Sequence, residues 1–135
     1  MSKMKFGLLA ALAAFGLTAG TAFATSEDDF VAEEGILYGY NGSDTKVEIP
    51  ATIQGGPVLG IDSGAFYCNE YIESVIIPEG VQCIRGGAFN GCCNLRHVEI
   101  PSTVTEIGTC AFSYSAVTKF VFPAGGVTEV SDSSA

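Results

Sequence analysis

Basic residues are scarce in this chain. Its 135 residues include six Lys and Arg against fifteen Asp and Glu, a formal charge of −9 at neutral pH. A surface of this sign repels phosphate, which argues against nucleic acid as a partner. Histidine occurs once, as His97, so the chain has one side chain that ordinarily titrates near neutrality. The five cysteines include no Cys-x-x-Cys pair, and together with a lone histidine they predict no zinc site, no other metal and no cofactor.

Long apolar stretches are also missing, except at the start of the chain. Lys3 and Lys5 precede a run of apolar and small residues over 6–20, and Ala22-Phe23-Ala24 is the small-x-small pattern that a signal peptidase cleaves. A membrane anchor is the alternative, but the run falls short of the roughly 20 strongly apolar residues of a span. We therefore predict a cleaved signal over residues 1–24, no membrane span after cleavage, and a secreted, cell-surface or periplasmic location.

Cleavage would leave four basic residues against fifteen acidic ones, a formal charge of −11. The acids cluster first in residues 25–35, where Glu27-Asp28-Asp29 matches no known calcium loop. We predict an acidic, disordered leader over 25–35 and a disordered tail over 131–135.

The chain between these ends repeats with a period of 23 residues. Two columns show the repeat: an Ala-Phe pair and an aliphatic residue four positions before it. A third column is a proline that ends a short β-rich run, at intervals of 28, 23 and 22 residues. The first interval is long because residues 54–57 widen that turn. Such recurrence predicts a solenoid, whose stacked coils bury apolar sides that one coil cannot bury alone. The columns are Phe66, Phe89, Phe112; Ile61, Ile84, Ile107, Val130; and Pro50, Pro78, Pro101, Pro123.

Each coil is predicted to contain one short strand and a turn. Alternate apolar residues before each proline point to one side of a strand, and the proline ends the strand because it has no N–H to donate. The next apolar residue turns inward, the glycines before each Ala-Phe mark close approach of the backbone, and the phenylalanines stack as a buried column. The inward residues after the prolines are Ile53, Val81, Val104 and Val127.

One coil carries a complete motif. Residues 75–95 read Val-x-Ile-Pro, then x-x-Val-x-x-Ile-x-x-x-Ala-Phe, then cysteine and leucine. This resembles the BspA-type leucine-rich repeat of bacterial and protozoan surface proteins, over about residues 36–130. The resemblance implies an α/β-type solenoid of about 3.5 coils, with a parallel β-sheet on its concave face, little regular helix and an entry strand near residue 36. Coil 97–118 departs from the pattern, since it lacks the cysteine and has Val117 in place of leucine.

Outward strand residues form the predicted binding surface. Equivalent residues on neighbouring coils stand roughly 4.8 Å apart, so they make a continuous patch on the strand face. We predict that it meets a protein, such as a host matrix or surface protein, or a glycan; plain solvated sheet surface is the alternative. Glu73 and Arg96 are expected to pair across the stack. The patch consists of two columns: Lys46, Ser74, His97, Lys119 and Glu48, Ile76, Glu99, Val121.

Ser74, His97 and Glu99 superficially suggest a catalytic triad. Alternate residues on a strand stand about 7 Å apart, and no oxyanion site is implied. The family resemblance also implies no general catalytic apparatus, so we predict no catalytic residue and no enzyme.

The cysteines are an odd set for an exported chain, so at least one stays unpaired within a monomer. Cys68 falls one position earlier in its coil than Cys92 does in the next. Their proximity predicts a disulfide from Cys68 to Cys92 or Cys93; the alternative is a free Cys92 that behaves as a small buried hydrophobe.

Two functions fit these features. The first is the recognition or adhesion function that the family resemblance implies, through the strand face. The second is self-assembly through the end of the array, since the last coil stops soon after Val130 without an Ala-Phe half, and an uncovered solenoid end invites pairing. A third reading is a short remnant of a longer array.

Overall fold

The computed structural model describes residues 25–122, which form a β-solenoid of about four turns. This part of the chain contains eleven short strands, one 3-10 turn over Glu27–Asp29 and no α-helix. The strands are β1 (Phe30–Glu33), β2 (Ile36–Tyr40), β3 (Lys46–Glu48), β4 (Thr52–Ile53), β5 (Gly56–Pro57), β6 (Gly60–Ile61), β7 (Ser74–Ile76), β8 (Cys83–Ile84), β9 (His97–Glu99), β10 (Glu106–Ile107) and β11 (Lys119–Val121).

The strands form two stacked ladders that the chain visits alternately. The first sheet has the order β1-β2-β6-β8-β10 and the second has the order β11-β9-β7-β3. Every pairing in the two sheets is parallel except the antiparallel pairing of β1 with β2. The predicted solenoid with a parallel sheet is therefore confirmed, and its coils follow the spacing read from the sequence.

Each strand of the second sheet ends where the sequence predicts. The ladder extends one residue beyond β3, β7 and β9, because the N–H groups of Ile49, Ile77 and Ile100 donate to carbonyls of the next coil at 2.9–3.0 Å. Proline follows each of these residues and has no N–H with which to continue the ladder. The proline thus sets the corner of the coil.

The core is one continuous cluster in which aromatic rings form a column. Phe66, Phe89 and Phe112 are at most 2% exposed, and their rings stack at centroid distances of 4.7 and 5.1 Å with interplanar angles of 7° and 6°. Tyr40 and Phe30 extend the column toward the N-terminus, at 5.6 and 4.9 Å. The predicted inward residues Ile53, Val81 and Val104 are buried as well.

Residues 25–35 differ from the predicted disordered leader. Their charged part forms the 3-10 turn, and β1 then pairs with β2. Phe30 is 3% exposed, and its ring packs against Tyr40. The prediction followed the charges of the segment and did not take into account that Phe30 is buried in the core.

The wide turn after Pro50 is a two-strand hairpin. β4 pairs with β5, and the hairpin turns at Gln54 and Gly55, whose φ angles are +54° and +84°. Two successive positive φ angles define the tight turn that matches strand twist. The extra residues therefore form a hairpin that projects from the coil. The solenoid resumes at Val58, which is 1% exposed.

Several predictions fall on residues outside the described range. These are the signal over 1–24, the tail over 131–135, and the inward positions Val127 and Val130. Across residues 25–122, no helix is long and apolar enough to span a bilayer.

Candidate functional site

Two columns of residues in the second sheet lie in backbone register across four coils. The backbone of Lys46 pairs with Ser74, Ser74 with His97, and His97 with Lys119. The neighbouring column runs through Glu48, Ile76, Glu99 and Val121 in the same way. We call these eight residues the strand face; that it binds a partner stays a prediction.

Burial along β3, β7 and β9 explains why the side chains of the strand face on these three strands point outward. Val47, Val75 and Val98 lie at the centres of β3, β7 and β9 and are completely buried. Their neighbours on the same strand point to the opposite side of the pleat. On β3 those neighbours are exposed, whereas on β7 and β9 they are half-buried. Among these three strands, the strand face is therefore less exposed on β7 and β9, around Ile76 and His97, than on β3.

His97 and Glu99 approach one another on the strand face. His97 Nε2 lies 3.4 Å from Glu99 Oε2, with the two side chains 33% and 42% exposed. Strand spacing alone suggested about 7 Å, but the longer side chains lean along the strand and close the gap. The contact becomes an ion pair when His97 is protonated.

A catalytic triad is not assembled at this contact. Within residues 25–122, no hydroxyl or thiol hydrogen-bonds to His97, and the Ser74 hydroxyl makes no hydrogen bond to it. A base without a hydrogen-bonded nucleophile lacks the arrangement that covalent hydrolysis needs. The absence of enzymatic activity stays a prediction.

The predicted pair of Glu73 and Arg96 is a backbone contact instead. The Arg96 N–H donates to the Glu73 carbonyl at 2.9 Å. The salt bridge that does cross coils lies on the first sheet, where Arg85 Nη1 is 2.9 Å from Asp62 Oδ1. Its hydrogen bond to this carboxylate raises the pKa of the Arg85 guanidinium. The signal was available in the sequence, because residues 62 and 85 are one repeat apart and opposite in charge.

The predicted disulfide is not formed, and all five cysteines are free thiols. Cys92 is fully buried, and its thiol donates to the Phe66 carbonyl at 3.0 Å. Burial raises the pKa of the Cys92 thiol to about 11. Cys68 is exposed, and its Sγ rests against Gly91, where an added Cβ would lie 2.8 Å away. The Cys92 side chain points inward, toward the Phe66 carbonyl, whereas the Cys68 side chain is exposed. Cys92 therefore has the position of a small buried hydrophobe, which was the alternative prediction.

Two further surface features were missed from the sequence. A cleft of about 410 Å³ lies between the β1–β2 turn and the β4–β5 hairpin, with Ala32, Pro57 and Leu59 among its lining residues. Three tyrosines are strongly exposed: Tyr67, Tyr71 and Tyr114. The 23-residue alignment puts the three tyrosines in different columns, so the periodicity did not mark them. No cluster of His, Cys, Asp or Glu suited to a metal occurs in the described range.

Comparisons with known proteins agree with this architecture. The family model of the BspA-type leucine-rich repeat region, described as six copies, matches residues 42–134. The crystal structure of a leucine-rich repeat protein from T. pallidum is 30% identical with a TM-score of 0.64; the match covers 70% of this chain and 46% of that one. A leucine-rich cell surface protein from Faecalibacterium prausnitzii is 29% identical with a TM-score of 0.61, over 75% of this chain and 30% of that one. This chain thus spans less than half the length of either structure. Among curated proteins there was no match.

Proposed function

Because the chain belongs to the BspA-type leucine-rich repeat family, we propose that it is an exported recognition module whose strand face binds a protein partner. The likeness to a cell surface protein supports export. The apolar run and the Ala22-Phe23-Ala24 pattern support it independently.

The observation that carries the proposal is the unbroken register of the strand face. Two columns of residues extend in backbone register across four strands without an insertion or a bulge. Such a surface is preformed, so a partner does not have to order it on binding, and the entropic cost of association is reduced. Parallel columns also repeat at the spacing of one coil, which suits an extended partner.

The chemistry of the strand face differs from that of the rest of the surface. Beyond residue 24 the chain has four basic residues, and two of them, Lys46 and Lys119, belong to one column together with the single histidine. The adjacent column contributes two carboxylates and two apolar residues. Charges of both signs around an apolar contact fix the orientation and the register of a bound partner. Ile76 is the residue that makes the apolar contact.

A capture experiment with matched variants tests the proposal. The purified chain, Ile76→Asp and Val31→Asp are immobilised and exposed to a host-matrix protein extract, and bound proteins are quantified by mass spectrometry. Val31 is a suitable control because it is an exposed apolar residue, 47% exposed, on a strand of the first sheet. We expect Ile76→Asp to reduce capture of the specific proteins at least tenfold, and Val31→Asp to leave it unchanged.

A second substitution on the strand face, His97→Ala, tests a smaller effect on binding. His97→Ala removes the contact with Glu99 and should weaken binding several-fold, since the substitution deletes one partly exposed polar contact. Equal capture by the unmodified chain, Ile76→Asp and His97→Ala would contradict the proposal. Circular dichroism of each variant establishes that the fold is intact.

Self-assembly through the end of the array stays a prediction, because Val130 lies outside the described residues. Light scattering tests it, since a monomer at high concentration would contradict it.

A further inference from the structure

Two identical dipeptides have different surroundings in the fold. The chain contains Asn-Gly twice, as Asn41-Gly42 and as Asn90-Gly91. Asparagine is a chemically labile residue, and its side-chain amide is most open to attack by the next backbone nitrogen when that nitrogen belongs to glycine, which has no Cβ to obstruct the approach. In a folded chain the attack also depends on the exposure of the asparagine and on the hydrogen bond of the glycine N–H.

Asn41-Gly42 lies in the segment between β2 and β3. The Asn41 side chain is exposed and makes no hydrogen bond to any residue over 25–122. Its own N–H donates to the Asp29 carbonyl at 2.8 Å. The N–H of Gly42 has no hydrogen-bond acceptor in the same range. Neither the amide carbon of Asn41 nor the nitrogen of Gly42 is therefore held by a partner in the described part of the chain.

Asn90-Gly91 lies within the stack of coils. The N–H of Gly91 donates to the Ser113 carbonyl of the next coil at 2.9 Å, and the Asn90 carbonyl accepts from the N–H of Cys68 in the preceding coil at 2.8 Å. The Asn90 side chain is half-buried. A backbone nitrogen that is hydrogen-bonded between two coils can attack only after these coils open locally, which costs free energy.

Position 42 requires glycine for a steric reason. A Cβ at Gly42 would overlap the Tyr40 hydroxyl and would lie 2.9 Å from Asp29 Oδ2. The hydroxyl is fixed, because it donates to Asp44 Oδ2 at 2.8 Å and the ring to which it belongs packs in the aromatic column. The packing of the first coil therefore selects, at this position, the residue that leaves Asn41 most open to attack.

We propose that Asn41 is a site of spontaneous deamidation in the folded protein, whereas Asn90 is protected. Solvent base removes the proton of the Gly42 N–H, and the nitrogen forms a bond to Cγ of Asn41. The bond from Cγ to Nδ2 then breaks, and the amide group leaves as ammonia. Water adds to either carbonyl of the resulting cyclic imide. Opening of the ring gives aspartate, or isoaspartate, in which the main chain runs through Cγ.

Both products alter the first coil. Each adds a carboxylate to a segment that contains Asp44 and is hydrogen-bonded to Asp29, and like charges repel at short range. Isoaspartate also lengthens the main chain before Gly42, which packs closely against Tyr40. We therefore expect deamidation to lower the Tm. The reaction does not depend on partner binding by the strand face, so the two proposals can fail independently.

Peptide mapping of the full chain during incubation at pH 8 tests the proposal. Trypsin cleaves after Lys46 and Arg85, so Asn41 and Asn90 fall in separate peptides, and mass spectrometry follows the exchange of each amide for a carboxyl group. We expect conversion at Asn41 to be about tenfold faster than at Asn90, because the glycine after Asn90 must first be released from its hydrogen bond. In concentrated urea the two rates should become similar, since both dipeptides then lack their folded surroundings.

Two variants connect the chemistry to the change in stability. Asn41→Gln should keep its Tm during the incubation, because the longer side chain would have to close a larger ring. Freshly prepared Asn41→Asp has the added charge without isoaspartate, so its Tm should lie between that of the fresh chain and that of the fully converted chain.

The rates decide the outcome. Equal conversion at Asn41 and Asn90 in the folded chain, faster conversion at Asn90, or no conversion at Asn41 would each overturn the proposal. A difference between the two sites that persists in urea would also overturn it, because the neighbouring sequence and not the fold would then be the cause.

Discussion

At the scale of single residues, two backbone positions of the coil are left-handed in every described repeat. Gly64, Gly87 and Cys110 form one column, with φ angles of +80°, +77° and +60°. The second column is Cys68, Gly91 and Tyr114, with φ of +56°, +81° and +60°. The corner therefore demands a conformation that glycine adopts freely and other residues adopt at a cost.

Gly87→Ala isolates this conformational demand. A Cβ at Gly87 would meet no atom within 4 Å, so the substitution creates strain without a steric clash. We expect a loss of about 1 kcal/mol in the free energy of unfolding, measured by urea denaturation. Gly39→Ala is the control, because its φ is not left-handed and its Cβ would make an ordinary contact at 3.9 Å. Equal stability of the two variants would contradict this reading.

The glycines before the Ala-Phe pair were predicted to mark close approach of the backbone. This holds for Gly86, where a Cβ would lie 2.8 Å from the Thr109 carbonyl oxygen. It does not hold for Gly87, which is next to it and has open space. A sequence pattern shows where glycine recurs, but it does not distinguish a steric reason from a conformational one.

The Cys92 thiol gives a prediction that depends on pH. Its pKa is raised by burial from 9.0 to about 11, so the folded state retains a proton that the unfolded state releases. Stability from this group is therefore complete below pH 9 and is lost as the pH rises toward 11. Urea denaturation at pH 8 to 11 should show this decline, with a shallower slope in Cys92→Ala. Burial also raises the pKa of Tyr40, so part of the decline above pH 10 should persist in that variant.

Alkylation of the native chain checks the same burial. Iodoacetamide at pH 8 should modify the exposed Cys68 and Cys93 long before Cys92. Labelling of Cys92 at the rate of Cys68 would contradict the structure.

At the scale of elements, the aromatic column joins the coils. Phe89 is fully buried between two parallel rings, so Phe89→Ala leaves a cavity in the middle of the stack. We expect the free energy of unfolding to fall by about 3–5 kcal/mol. Phe89→Leu retains most of the apolar volume and should cost about 1–2 kcal/mol. A loss below 1 kcal/mol in Phe89→Ala, measured by urea denaturation, would show that the coils do not depend on this column.

The same scale shows what the sequence could and could not predict. The strands of the second sheet were predictable because Val75, Val98 and their prolines repeat at a fixed interval. β1 was not, since Phe30 belongs to no repeat and follows a run of acids. The strand face followed from alternation alone, whereas the approach of His97 to Glu99 depends on side-chain rotamers that no periodicity encodes.

At the scale of the whole molecule, the excess of acidic residues opposes folding. The formal charge of −9 is concentrated in a compact chain, where like charges repel. Raising sodium chloride from about 0.01 to 0.1 M shortens the screening length from about 30 to 10 Å. We therefore expect the Tm to rise by a few degrees, measured by circular dichroism. The double variant Glu33→Gln/Glu34→Gln should start at a higher Tm and respond less, and an unchanged Tm in the unmodified chain would contradict this effect.

The hairpin of β4 and β5 has a practical consequence. The N–H of Val58 donates to the carbonyl of Ala51 at 2.9 Å, so the two ends of the hairpin meet where it leaves the coil. The length between those ends is free to vary while the stack below keeps its spacing. A peptide tag or a fluorescent label could therefore be inserted between Gly55 and Gly56 for imaging, outside the strands of the two stacked sheets.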